Sequence, residues 1–473
     1  MTTTHSTEAG RAHADPAAVA RVSRAPRPGG DASALGRLGV REAPAWRGSV
    51  TPDPALDPVR AKVARGERLS LADGRTLYET PDIWSVCELA DRVRRRLHGD
   101  AAYYNVNRHM NYSNVCALSC KFCEFYRKRG EDGAYTRDMD YIRGEAAKAR
   151  DSGATEMHIV GGLHPYLPWE YYPEMMRTIR DEAPDVHIKA FTAVEVVHLA
   201  KIKKVFRKSD RRAGIRSVLA ELKEAGLGSV PGGGAEVFDD RVHDEAFKGK
   251  IRSDVWLDVH RVAHELGLNS NATILYGHIE ERDERLVHMD MLRRAQDEAL
   301  ERLGYAGVDS DSGGAPVITL TRDGVELPER VRFGGDAGPG VSDAGGYFQT
   351  IIPLPFVPDG SELETLAGPT GLENLRTVAI ARLMLDNFPH VKAFWIMQTL
   401  ALSQMMLQSG ADDLDGTVVW YDITKVGGST THQEVDVWTL SKAIREAGFR
   451  PIERDTLYRR VERAGNTWRV AGG

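Results

Sequence analysis

After Asp100 the chain alternates short β-prone runs with longer helical stretches, and this alternation restricts its fold more than any other feature. The strand candidates are 104–110, 156–160, 187–191, 228–230, 271–276, 348–356, 391–397 and 415–420. Helical periodicity lies between them, for example over 139–152, 169–182, 218–225, 254–266, 371–387 and 403–409. Strand, helix and strand in succession predict a parallel sheet with right-handed crossovers. Eight such units predict an α/β protein built as a closed (β/α)8 barrel. Because 228–230 is a weak strand, a six-unit open barrel with an appended C-terminal part is the alternative. A length of 473 residues accommodates a barrel of roughly 250 residues with extensions.

The rest of the chain is expected to frame that barrel, which spans 100–470. Residues 53–99 read as a helical N-terminal extension, including 82–97 with apolar Ile83, Val86, Leu89, Ala90 and Val93. Residues 1–52 are rich in Ala, Arg, Pro, Gly and Ser without apolar periodicity, which predicts a disordered extension. Their bias leans toward a transit peptide, but Glu8, Asp15, Asp31 and Glu42 argue against one. Two segments read as insertions, the basic run 203–212 and the Gly/Asp-rich 300–344. The first is expected to be a solvated loop. In the second, Asp323-Gly324 between β-prone 316–321 and 325–333 predicts a surface hairpin or disorder. Net charge is −6, which gives no sign of a nucleic-acid surface. No apolar run reaches the ~20 residues that span a bilayer.

Three of the four cysteines fall in one segment, Cys116, Cys120 and Cys123; the fourth, Cys87, sits in a helical stretch and reads as a packed thiol. A [4Fe–4S] cluster usually takes four thiolates. Three leave one iron open to bind a substrate or cofactor directly. Lys121, Arg127, Lys128 and Arg129 nearby favour the thiolate form. The other readings are buried structural thiols or a zinc site, with His109 the nearest candidate for a fourth ligand. No secretory signal precedes the segment, which argues against disulfides.

In a (β/α)8 barrel the chemistry gathers at the C-terminal ends of the strands, and the other motifs fall there. Gly161-Gly162 follow the second strand candidate, and Glu195 comes four residues after the third. Gly232-Gly233-Gly234 with Glu236 follow the fourth, and Gly277-His278-Ile279-Glu280 the fifth. Paired glycines permit close backbone approach to a ligand. If the fifth strand continues, Tyr276, His278 and Glu280 share one face, and His278 is a candidate acid or base. Arg108 suits bidentate carboxylate recognition. His164 is expected to serve loop packing.

The CxxxCxxC spacing, with Phe122 just before the last cysteine, resembles the signature of radical S-adenosylmethionine (SAM) enzymes, which implies a TIM-like barrel. The resemblance implies that Cys116, Cys120 and Cys123 hold a [4Fe–4S] cluster whose fourth iron is chelated by the amino and carboxylate groups of SAM. One electron then releases a 5′-deoxyadenosyl radical. It also implies that Gly161 and Gly162 lie near the methionine amino group. Phe122, Glu195 and Glu236 are further candidates to border the cofactor, with a substrate contact, a proton or a bare turn equally open for Glu236. An oxygen-sensitive cluster and few cysteines point to a reducing cytoplasm.

The phrases at 161–165, 187–195, 231–238, 276–280, 382–390 and 410–417 resemble the aminofutalosine synthases of menaquinone biosynthesis. That resemblance implies a transferase that adds the radical to the enol ether of 3-[(1-carboxyvinyl)oxy]benzoate. Decarboxylation then gives 6-amino-6-deoxyfutalosine, and a flavodoxin or ferredoxin supplies the electron. Strand-end position nominates His278, Glu280 and Arg108 as catalytic, and Arg108, Lys189 and His278 as cations for the substrate carboxylates. Cyclic dehypoxanthine futalosine synthase and deazaflavin-cofactor synthase are the neighbouring alternatives. An iron–sulfur electron carrier is the remote one.

Overall fold

The computed structural model describes residues 52–303, 346–417 and 434–472. The expected disordered extension, almost all of the 300–344 segment with its hairpin, and the end of the last strand candidate lie outside the described residues. Three helices come first: α1 (Asp57–Arg65), α2 (Leu71–Glu79) and α3 (Ile83–His98). Asp82 caps α3 by accepting from the Ser85 N–H at 3.0 Å. The apolar stripe of α3, including Val86, Leu89 and Ala90, is buried. In chain order there follow β1 (Ala101–Asn105), β2 (Asn107–Met110), α4 (Met139–Asp151), β3 (Glu156–Ile159), α5 (Tyr171–Glu182), β4 (His187–Ala190) and α6 (Ala193–Ile202). Next come α7 (Arg211–Ala225), β5 (Ser229–Val230), α8 (Asp240–Ala246), α9 (Ser253–Glu265), β6 (Asn269–Tyr276), α10 (Arg282–Arg302) and β7 (Phe348–Pro355). The chain ends with α11 (Gly371–Met384), β8 (His390–Val391), α12 (Trp395–Gln398), α13 (Leu400–Met406), β9 (Asp413–Gly416), α14 (Val437–Glu446), β10 (Arg450–Glu453), β11 (Val461–Ala464) and β12 (Thr467–Val470).

Strands β2 to β8 form one parallel seven-stranded sheet in sequence order. The ring is completed through β9. On one side a parallel bridge joins Lys392 to Asp413, supported by the Ala393 N–H donating to the Asp413 carbonyl at 2.8 Å. On the other side β9 pairs with β1, which runs into β2. The eight-unit barrel is therefore the architecture, not the six-unit alternative.

The expected strand 104–110 is broken at Val106. Its carbonyl turns to accept from both the N–H and the hydroxyl of Thr155, at 2.7 and 3.0 Å. The half before the break pairs with β9 and β10, and the half after it with β3. The expected strand 391–397 is also short. After Ala393 the chain turns into α12, where the Trp395 indole donates to the Gly416 carbonyl at 2.9 Å. The basic run 203–212 is the α6–α7 junction. Its Arg211 and Arg212 pair with Asp258 and Glu265 of α9, at 2.6 and 2.5 Å.

The end of the barrel where the strands begin is plugged by polar groups. Asp412 is fully buried and accepts from Arg382 of α11, from the His390 ring at 2.6 Å and from the Val391 N–H at 2.8 Å. Tyr458 stacks on His390 with ring centroids 3.6 Å apart, and His98 of α3 stacks with the same His390 ring at 4.9 Å. The plug leaves the opposite end, where the strands finish, as the open mouth.

Candidate active site

The cysteine segment is fixed by backbone contacts before its sulfurs are considered. The Gly162 N–H donates to the Ser113 carbonyl at 2.8 Å, and Ala117 N–H to Leu163 at 2.9 Å. A Cβ on Gly162 would lie 2.4 Å from the Val115 carbonyl oxygen, and one on Gly161 would lie 2.6 Å from the Tyr112 ring. Only glycine lets the loop after β3 approach the cysteine loop this closely. The Lys128 ammonium donates to the carbonyls of Cys116 and Leu118 at 3.1 and 2.8 Å, and the Cys123 N–H donates to the Cys120 carbonyl at 3.0 Å.

All three cysteines then line one cavity. The N–H groups of Leu118 and Leu163 both point at Cys116 Sγ, each at 3.4 Å. Burial pushes the Cys120 thiol up to about 11 and raises Cys123 as well, opposed by the nearby Lys250 ammonium. Thiolates here therefore need further positive charge, which bound iron supplies. Among the described residues, a second group of metal-ligating type, His98, His390 and Asp412, brings its ligand atoms together. That second group is already saturated by Arg382 and the Val391 N–H on Asp412. Three thiols on one cavity wall, with two N–H donors on Cys116 and the Lys250 ammonium nearby, fit a cluster.

The cavity has a volume of about 290 Å³ and runs from the cysteines down the barrel axis. Its rim carries Phe122, Gly161, Gly162, Glu195, Gly232 to Gly234, Glu236 and Lys250. Glu195 is the N3 residue of the α6 capping box, so helix capping places it. One of its oxygens accepts from the Gly161 N–H at 3.0 Å and the Tyr112 hydroxyl at 2.9 Å. The other accepts from the N–H and hydroxyl of Thr192, both at 2.8 Å. Burial raises its pKa to about 7 against those four bonds. Glu236 has φ +47°, an uncommon conformation for a non-glycine residue, and forms an ion pair with half-buried Lys250. The Lys250 ammonium also lies 4.8 Å from the centre of the Phe122 ring. Burial works against its charge, but Glu236 and Cys120 hold its pKa above the ordinary lysine value.

Below the rim comes an apolar belt that includes Val160, Leu275, Ile352, Leu354, Phe394 and Met397. The floor is polar: His158, Lys189, Asn271, Lys392 and Asp415. Lys189 pairs with Glu156 at 2.6 Å, and Lys392 pairs with Asp415.

Three residues nominated for catalysis are not on this wall. Arg108 points from β2 to α4 and pairs with Glu145 at 2.9 Å. Strand β6 ends at Tyr276 because Gly277 turns the chain with φ +89°, so the expected alternation through His278 and Glu280 does not continue. Instead Glu280 accepts from the N–H groups of Gly277 and His278 and pairs with Arg285 at 2.7 Å; His278 bonds the Leu275 carbonyl at 3.1 Å. Together they close a turn. His164 accepts from the N–H groups of Tyr166 and Leu167, a loop contact. His109 faces inward from β2, its pKa lowered to about 3 by burial, and packs edge-on to His158.

Sequence reasoning missed His158, Asn271, Lys392 and Asp415 on the floor and Lys250 on the rim. For the strand residues the available signal was polar groups at every second position, as in Glu156/His158 and Asn269/Asn271/Thr273, within strands that are otherwise apolar. Lys250 lies between α8 and α9 and carries no such signal.

Residues 110–292 match the family model described as Radical SAM superfamily, and 344–466 match the CofH/MqnC C-terminal region. The chain is 39% identical to the aminodeoxyfutalosine synthase of Thermus thermophilus, over 86% of this chain and 96% of that one. It is 38% identical to the aminodeoxyfutalosine synthase of Streptomyces coelicolor, over 84% and 92%. A 5-amino-6-(D-ribitylamino)uracil–L-tyrosine 4-hydroxyphenyl transferase of Methanopyrus kandleri is 32% identical over 80% and 90%. Among solved structures, methylornithine synthase shares the fold, with a TM-score of 0.57, 16% identity, and coverage of 83% of this chain and 97% of that one. Radical SAM enzymes bind a [4Fe–4S] cluster and use SAM. The chain belongs to the aminodeoxyfutalosine synthase family of the radical SAM superfamily.

Proposed function

We propose that this chain is the radical SAM transferase that joins the 5′-deoxyadenosyl group of SAM to 3-[(1-carboxyvinyl)oxy]benzoate. The products are 6-amino-6-deoxyfutalosine, methionine and carbon dioxide, on a route to menaquinone. The reading is carried by the 38–39% identity to two aminodeoxyfutalosine synthases across more than four fifths of the chain. The cavity supports it, because an apolar belt between the cysteines and a polar floor suits an aromatic acid.

In this reading Cys116, Cys120 and Cys123 hold the cluster, and cluster and SAM together supply the adenosyl radical. The chain's own residues do the rest. The Gly161-Gly162 backbone, locked by Glu195 through its bond to Gly161 N–H, borders the methionine end of SAM. Phe122, Glu236 and Lys250 border the remainder. The belt of Val160, Leu275, Ile352, Leu354 and Phe394 excludes water from the reacting alkene and offers no exchangeable proton. A flavodoxin or ferredoxin in the cytoplasm would deliver the electron. Among the described residues, no helix is long and apolar enough to cross a membrane.

Anaerobic reconstitution with iron and sulfide, followed by SAM, a reductant and the enol-ether benzoate, tests the reading by mass analysis of the products. An adenosylated, decarboxylated adduct is expected. Free 5′-deoxyadenosine without adduct would indicate hydrogen abstraction and reject the assignment. Cys120→Ala is expected to abolish SAM cleavage altogether.

A further inference from the structure

On three of the strands that contribute to the cavity, a polar residue lies deeper than an apolar one. On β3 and the loop after it, His158 precedes Val160 and then Gly161 and Gly162; on β6, Asn271 and Thr273 precede Leu275. After β8, Lys392 precedes Phe394 and Met397. Two residues of strand rise about 6.6 Å, the span of one aromatic ring with its carboxyl group. Apart from Thr273, the cavity wall is thus apolar for about one ring's depth between the cysteines and a charged floor.

The floor is held in place by contacts that do not depend on a ligand. Lys189 is paired with Glu156, which is not on the cavity wall. Lys392 is paired with Asp415, which is. Asp415 has φ +68°, a left-handed conformation that is strained for a non-glycine residue. Its N–H donates to Asp413 Oδ1 at 2.5 Å, and Asp413 is tied to Arg454 at 2.6 Å. This strained residue therefore aims its carboxylate at Lys392 on the cavity floor.

We infer that this floor is the subsite for a carboxylate carried on the aromatic ring, with Lys189 and Lys392 as its cations. The substrate then lies ring-down, with its alkene toward the cysteines. The assignment rests on the function proposed above and replaces Arg108 and His278 as carboxylate ligands. It also sets a proton requirement. Two lysines against Glu156 and Asp415 balance the floor, so an entering carboxylate adds one uncompensated negative charge. His158 is on the same wall and is surrounded by His109 of β2, Lys189 of β4, Lys392 beyond β8 and Glu156 of its own strand. Burial and the neighbouring lysine hold this imidazole neutral in the ligand-free cavity. It is the group placed to take up a proton when the carboxylate arrives.

The test is equilibrium binding of two probes, 3-hydroxybenzoate and its uncharged amide 3-hydroxybenzamide, to the reconstituted enzyme with SAM. The acid should bind more tightly than the amide by roughly 30-fold, as a charge-assisted contact implies. Lys392→Met alone strands a buried Asp415, so the charge-balanced pair Lys392→Met with Asp415→Asn is the main variant. It should keep its melting temperature and its SAM-dependent electron paramagnetic resonance spectrum, while discrimination falls below about threefold. Discrimination retained in this variant, or absent from the wild type, overturns the subsite. Titrations in buffers of different ionisation enthalpy should show one proton taken up per acid bound near neutral pH; none taken up overturns the assignment to His158. Wild-type turnover of the enol ether is scored separately. If it fails while acid–amide discrimination persists, the proposed reaction is wrong and the anion subsite stands.

Discussion

A methyl group on Gly162 would stand 2.4 Å from a backbone oxygen of the cysteine loop, and backbone cannot rotate away as a side chain can. Gly162→Ala should therefore displace Val115 and the cysteine after it. Overpacking of this kind costs about 1–3 kcal/mol, so the urea midpoint and the iron bound per chain should fall together. Gly144 is the control. It lies inside α4 with open space around it, and Gly144→Ala should stabilise by up to about 1 kcal/mol and leave iron binding intact. Equal behaviour of the two variants would show that Gly162 is not sterically required. Glu195 invites a second substitution. The N–H groups of Gly161 and Thr192 address opposite oxygens of its carboxylate, so the amide of Glu195→Gln would face a donor in either orientation. A destabilisation of about 1–3 kcal/mol is expected in a denaturation series. The cysteines were legible in the sequence because their spacing alone carries the chemistry. Lys392 and Asp415 were not, because only closure of the ring through β9 decides which face of a strand is interior.

Four elements meet at one carboxylate in the barrel plug. Asp412, just before β9, accepts from Arg382 of α11 and from His390 and the Val391 N–H of β8, while His98 of α3 lies 3.6 Å away. The α3 and α11 helices also pack on each other, so this group joins the N-terminal extension to the closing strands. Removing one partner of a buried charge pair costs about 3–5 kcal/mol because the other charge stays buried and uncompensated. Asp412→Asn preserves the shape and should still lower unfolding stability by about that amount in urea. A loss below about 1 kcal/mol would mean that Arg382 is neutralised elsewhere. At this scale the alternation of strands and helices was readable from periodicity, and the order of the parallel sheet followed from it. The break at Val106 was not readable, since it follows from the two halves pairing with strands far apart in sequence, β9 and β10 on one side and β3 on the other. The hairpin of β11 and β12 was missed too. These two strands are only partly buried, so apolar periodicity is weak there.

The molecule as a whole carries an unusual load of buried imidazoles, and that load sets how its stability responds to acid. Burial depresses His98, His109, His260 and His288 to about 3 and His187 to about 4. In the unfolded chain these groups titrate near 6.5. Between pH 6.5 and about 4 the unfolded state therefore binds protons that the folded state refuses, and stability is lost as pH falls through that window. From pH 7 to pH 5 the loss is about 2 kcal/mol for each histidine that stays neutral in the native state. Glu195 acts with the opposite sign. Its pKa is raised to about 7, so the folded state holds a proton that the unfolded carboxylate has released, and acidification to pH 5 returns about 2 kcal/mol. It offsets one histidine and no more. The lowered carboxyls of Glu156 and Asp412 contribute only below their unfolded values near 4, outside this window. Two uncompensated histidines already remove about 4 kcal/mol, a large share of the 5–15 kcal/mol by which folded domains are stable. Urea denaturation should accordingly show a midpoint that drops steeply between pH 7 and pH 5, with a slope equivalent to at least two protons taken up on unfolding. A flat profile across that range would mean that the imidazoles are charged in the native protein and that water reaches them there.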